Sequence, residues 1–113
     1  MLLQRIELAA SPGQAAGLES ALIEVRQRVF SSPGFRGFTV RQGVERPDVY
    51  LVDVLWETPD ELLEHGESGR FDRCWAPAQP FLARPPRVDH FTEKPALDLH
   101  GPGVITDLAW LGD

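Results

Sequence analysis

"VYLVDVLWETPDE", Val49 to Glu61, decides the fold. Its first eight residues read as a strand whose two faces are both apolar. Val49, Leu51 and Leu55 alternate with Tyr50, Val52, Val54 and Trp56, and Asp53 is the one charge among them. Alternation of this kind is the strand period, and a strand apolar on both faces has to be covered on both. The stretch then changes character. Thr58 suits a helix N-cap, Pro59 the first helical position, and Glu61 the acidic end of a capping box.

Working outward, "LLQRIELA" from Leu2 alternates in the same way, with Leu2, Gln4, Ile6 and Leu8 on one face. "SPGQ" follows, and Ser11, Pro12 and Gln14 predict a second capped helix, running from about Pro12 to Phe30. Leu18, Leu22, Val25 and Val29 recur at helical spacing. "GFRGFTVRQG" predicts a strand, and "VERPD" a turn before Val49. Gly66 and Gly69 predict a break in the second helical region. After it, Phe71, Cys74, Trp75 and Ala78 share one helical face until Pro77 and Pro80 end the regular part. "PPRVDHFTE" predicts the last strand.

The order is β-α-β-β-α-β. It defines an α+β, ferredoxin-like βαββαβ fold: an antiparallel four-stranded sheet with both helices on one face. The helices account for one face of the Val49 strand. A second copy of the chain, sheet face to sheet face, would cover the other, so a homodimer is expected. Residues 1–94 form the domain. Residues 95–113 form a C-terminal tail, apolar enough at Val104, Ile105, Leu108 and Trp110 to pack on the partner subunit.

Bulk properties narrow the function. A chain of 113 residues suits one domain, and 42% hydrophobic with 25% charged content suits a globular one. A net charge of −6 argues against nucleic acid and anionic membrane as partners. The single cysteine, Cys74, makes no internal disulfide. No apolar run reaches the ~20 residues of a membrane span, and Arg5 and Glu7 interrupt what would be a signal-peptide core. A soluble cytoplasmic protein is expected. No phosphate loop, dinucleotide fingerprint, metal-spaced His/Glu pair or nucleophile elbow occurs. Any chemistry therefore rests on the substrate's own reactivity, with no metal and no cofactor.

"SPGFRGFTVRQG", "YLVDVLWETPDELLEH" and "RFDRCWAPAQPFLARPPRVDHFTE" together resemble the antibiotic biosynthesis monooxygenase superfamily. The resemblance covers about residues 2 to 94. It implies a dimeric α+β barrel and, in the quinone-forming members, cofactor-independent oxidation of anthrone- or hydroquinone-like molecules by molecular oxygen. It implies a pocket between sheet and helices, marked here by Trp56. The family's strand Asn falls at Val52 and its helix Tyr at Leu62. Haem-degrading relatives place an Asn, a Trp and an iron-ligating His where this chain has Gln4, His65 and Trp75, and Trp75 cannot ligate iron.

The residue-level candidates follow. His65 is a candidate general base; it also reads as a helix-end histidine, where its charge is favourable. Gln4 offers a hydrogen-bonding amide, and the two form the candidate catalytic pair. Trp56, Phe38, Phe71, Trp75 and His90 are the candidate substrate-binding residues for a small phenol-, quinol- or anthrone-like aromatic. Each aromatic also reads as core. A non-catalytic ligand-binding dimer is the alternative, and a haem-binding relative a third. Asp53 needs a cationic partner, and Arg5, Arg36 and Arg41 are the candidates.

Overall fold

The computed structural model describes residues 1–97. Strands β1 (Leu2–Ala9), β2 (Phe35–Gln42), β3 (Val49–Trp56) and β4 (Arg87–Thr92) form one antiparallel sheet in the order β2-β3-β1-β4. Helices α1 (Ala15–Phe30), α2 (Pro59–Glu67) and α3 (Arg70–Trp75) complete the ferredoxin-like α+β arrangement. Short 3-10 turns follow at Ala76–Phe81 and Pro95–Leu97. The expected packing of the tail on a partner falls almost wholly outside the described residues.

β3 lies between β1 and β2 and is the most buried strand. Its Tyr50, Val52, Val54 and Trp56 join Ile6 and Leu8 of β1 beneath Leu18, Leu22, Val25 and Val29 of α1. The apolar alternation read from both strands is thus the core. On the opposite face, Asp53 is 6% exposed and held by two arginines. Arg5 Nε and Nη2 donate to its two oxygens at 2.8 Å each, and Arg41 Nη1 donates at 2.9 Å. This bidentate grip holds the Asp53 carboxyl below its ordinary pKa. Arg36, the third candidate, pairs with Glu57 instead.

The helix ends partly correct the sequence reading. α1 starts at Ala15, not Pro12. Gly13 takes φ +76°, which no helix accommodates, so "SPG" is a turn closed by Gln14 N–H donating to Ser11 C=O at 2.9 Å. Gln14 is the N-cap but makes no side-chain capping bond. At α2, Thr58 Oγ1 accepts from Glu61 N–H at 3.3 Å as expected. The return half of the box is not made, because the Glu61 carboxylate lies against Gly34. Gly69, at φ +80°, breaks α2 from α3, while Gly66 stays inside α2. Pro77 and Pro80 do not end helical structure outright. The chain tightens into the 3-10 turn, whose Ala78 is fully buried.

Candidate active site

The candidate site starts from a pair on neighbouring strands. Gln4 lies opposite Val54, and Leu2 opposite Trp56, so Gln4 and Trp56 are diagonal neighbours on the helix-facing side. Trp56 Nε1–H donates to Gln4 Oε1 at 3.1 Å. An indole N–H can only donate, so this bond fixes which end of the Gln4 amide faces the core. The NH2 group is left on the other side. Gln4 there lines a cavity of about 690 Å3 whose apolar walls are Leu62, Leu63 and Phe71 from the helices and Val88 from β4. His90, opposite Gln4 in the β1–β4 register, lies at its rim.

The predicted site residues divide into three groups. Gln4, Phe71 and His90 meet in this cavity. Trp56, His65 and Trp75 lie behind it in the core, at 0%, 2% and 2% exposure. Trp56 is thus reached through Gln4, not as an open wall. Phe38 stacks on Trp75 with ring centroids 6.3 Å apart and lines the separate grooves beside α1.

His65 is not a surface helix-end residue. Its ring sits 4.6 Å from that of Trp56 and meets Phe71 edge-on at 6.3 Å. Neither ring nitrogen has a hydrogen-bond partner among the described residues. Burial pushes its pKa down to about 4, and the charges of Arg70 and Arg73 act in the same direction. His65 is therefore neutral at pH 7 and keeps an unused acceptor nitrogen. Phe71 packs against His65 and lines the cavity, which His65 itself does not line.

At the far end of the core the Tyr50 hydroxyl donates to Glu19 at 2.5 Å and accepts from Gln42 at 3.3 Å. Burial and the Glu19 bond push its pKa up to about 12, so it stays a phenol. Among the described residues no group of three or more His, Cys, Asp or Glu side chains converges to hold a metal. No described helix is long and apolar enough to cross a membrane.

The sheet order and this sheet-to-helix cavity define a ferredoxin-like α+β domain with a small-molecule-sized site. Residues 1–76 match the model of the antibiotic biosynthesis monooxygenase family. The chain belongs to that family. A Bordetella bronchiseptica protein assigned to it is similar at 25% identity and TM-score 0.73, over 82% of this chain and 97% of that one. A Caulobacter crescentus protein of the same assignment shares 22% identity at TM-score 0.70, over 82% and 89%. SnoaB of Streptomyces nogalater, a cofactor-independent oxygenase, shares 15% identity at TM-score 0.70, over 82% and 92%. The last two similarities speak to the fold alone. No curated protein sequence matches the chain.

Proposed function

We propose that the protein is a cofactor-independent monooxygenase of small phenol-, quinol- or anthrone-like aromatics, with its substrate in the cavity between α2 and the β1–β4 edge. The observation that carries this reading is the Gln4–Trp56 hydrogen bond, which leaves the amide NH2 free, among the described residues, at a cavity whose lining is mostly apolar, with Asp60, Glu67 and His90 as its other polar members. Family membership and the oxygenase among the structural relatives support it.

The chemistry is simple in outline. An anthrone-like substrate loses a C–H proton, and its anion is electron-rich enough to react with molecular oxygen. One oxygen atom stays as the new carbonyl and the other leaves as water. The Gln4 N–H donates to the substrate oxygen that carries the negative charge. His65, neutral and unpartnered, is the candidate proton acceptor; burial makes it a weak base, and Phe71, packed edge-on against it, would have to move for the transfer. The apolar walls Leu62, Leu63, Phe71 and Val88 offer contact area to the rings of the substrate.

The working unit in this proposal is a homodimer. Leu3, Leu51 and Leu55 are only partly covered on the outer sheet face, and Phe91 beside them is 48% exposed. A second sheet laid on this face would bury them. Light scattering at micromolar concentration is expected to give twice the monomer mass; a stable monomer would contradict it.

One observation favours a second reading, ligand binding without turnover. Trp56 and His65 are buried and neither lines the cavity, so the candidate base does not face the site where the substrate would lie. Oxygen uptake across a panel of anthrones and hydroquinones separates the two. Turnover supports the oxygenase. Thermal stabilisation by the same compounds without uptake supports the binding protein.

A further inference from the structure

A second groove, of about 540 Å3, opens on the other side of α3. Its walls carry three guanidinium groups, Arg28 from the last turn of α1 and Arg70 and Arg73 from α3, together with Ser31 and Ser32. It is a local gathering of positive charge on a chain of net charge −6. α3 is the divider between the two sites: Phe71 lines the aromatic cavity, whereas Arg70, Arg73 and Cys74 line this one.

The structural duties of these arginines leave most of their donors unused. Arg28 Nη1 donates to the Arg73 carbonyl at 2.8 Å and Nη2 to Glu24 at 2.8 Å. Arg73 Nη1 donates to the Ser68 carbonyl at 3.2 Å. Arg70 makes no side-chain hydrogen bond, and neither Arg70 nor Arg73 forms an ion pair, among the described residues. The arginines are also not needed to close the end of α1. Ser31 and Ser32 already serve two carbonyls of its last turn, through Ser32 N–H to Val29 C=O at 2.9 Å and Ser31 Oγ–H to Arg28 C=O at 3.4 Å. Arg70 with its whole guanidinium uncommitted, Arg73 and Arg28 with donors to spare, and Ser32 beside them gather on one groove the kind of donors that bind a tetrahedral oxyanion.

We infer that this groove binds a phosphate-like oxyanion, free or as the monoester of a small molecule, through Arg70, Arg73 and Arg28. The site is independent of the oxygenase reading. It lies on the helix side of the domain, so the proposed sheet-to-sheet dimer leaves it open.

Calorimetric titration of the whole chain at low ionic strength tests it, with inorganic phosphate and with phenyl phosphate up to about 10 mM, conditions under which screening is weak. Saturable one-site binding is expected for at least one of them. Affinity should fall roughly tenfold or more in Arg70→Gln/Arg73→Gln, as for loss of charge-assisted bonds. It should survive in Arg46→Gln, which removes a positive charge outside the groove. Tighter binding of phenyl phosphate assigns the site to a monoester, and equal binding to the free ion. Circular dichroism checks that the double variant folds; if it does not, Arg70→Gln alone takes its place, with the same expected direction. Absence of saturable binding to either compound overturns the inference. So does an equal loss in Arg46→Gln, which would mark general charge attraction. Oxygen uptake plays no part in this readout, so failure here and failure of the oxygenase reading are separate results.

Discussion

Trp56 Nε1 donates to Gln4 Oε1 at 3.1 Å across the β1–β3 diagonal, and both side chains are at least 96% buried, at 0% and 4% exposure. This bond joins the core to the candidate site. It satisfies the indole and at the same time orients the amide. Gln4→Leu would fill similar volume but strand the indole N–H, at a cost of about 1–3 kcal/mol. Urea denaturation should show that loss with an unchanged slope. Trp56→Leu/Gln4→Leu, which removes both partners, should cost less than the sum of the two single changes.

His65 predicts a pH dependence with a definite sign. Its pKa is lowered from 6.5 to about 4 in the folded protein. The unfolded chain therefore binds the proton more readily, and stability rises with pH between these values. The contribution is complete above about pH 6.5 and is lost as the pH falls toward 4. A shift of this size corresponds to about 3 kcal/mol. Chemical denaturation at pH 7 and pH 4.5 measures it. His65→Phe should flatten the profile in that window, leaving only the fall below it that comes from carboxylates such as Asp53.

The two arginines on Asp53 are unequal. Arg5 holds both carboxylate oxygens, and its guanidinium also lies 5.7 Å from the Phe91 ring centre. Arg41 holds one, and its side chain is 61% exposed. Arg5→Leu leaves a buried carboxylate with a single exposed partner and should cost about 2–3 kcal/mol. Arg41→Leu should cost under about 1 kcal/mol, as exposed pairs do. Equal losses would show that the bidentate grip carries no special weight.

Two glycines should respond in opposite directions. Gly34, at φ +83°, immediately precedes β2, and a Cβ added there would run into the Glu61 carboxylate, so Gly34→Ala meets both a disfavoured backbone and a clash. A loss of at least about 1–2 kcal/mol follows from the backbone alone. Gly66 lies inside α2, and an added methyl would meet nothing within 4 Å. Gly66→Ala should raise stability by about 0.5–1 kcal/mol. Thermal melts of the two variants give the comparison directly.

The legible parts of this protein are those governed by period and local chemistry. The alternation of β1 and β3, the spacing of Leu18, Leu22, Val25 and Val29, and the turn residues led to the strand and helix order. The twin covering of Val49–Trp56 pointed to the buried position of β3. Less visible were features that depend on backbone dihedrals or on distant residues. "SPGQ" has the residue types of a capped helix start, but Gly13 turns the chain instead. Three arginines competed for Asp53, and only the cross-strand register chose Arg5 and Arg41. Trp56 was legible as a marker residue, yet its burial behind Gln4 depends on a diagonal contact between strands 52 residues apart. Phe38 and Val40 share a face as the alternation requires, but that face borders the groove beside α1 and not the Gln4 cavity, which only the sheet order decides.

The central claim is that Gln4 presents an amide N–H to the substrate anion in the α2–β4 cavity. The most direct measurement is the initial rate of oxygen uptake with an anthrone substrate by the native protein, by Gln4→Asn and by Gln4→Leu. Each variant should first be shown to be folded. The account predicts oxygen-dependent turnover in the native protein and a fall in kcat of about 10²-fold in Gln4→Leu, the size seen when one oxyanion donor is removed. Partial activity should remain in Gln4→Asn. No uptake by the native protein with any anthrone or hydroquinone, or an undiminished rate in a folded Gln4→Leu, would contradict it.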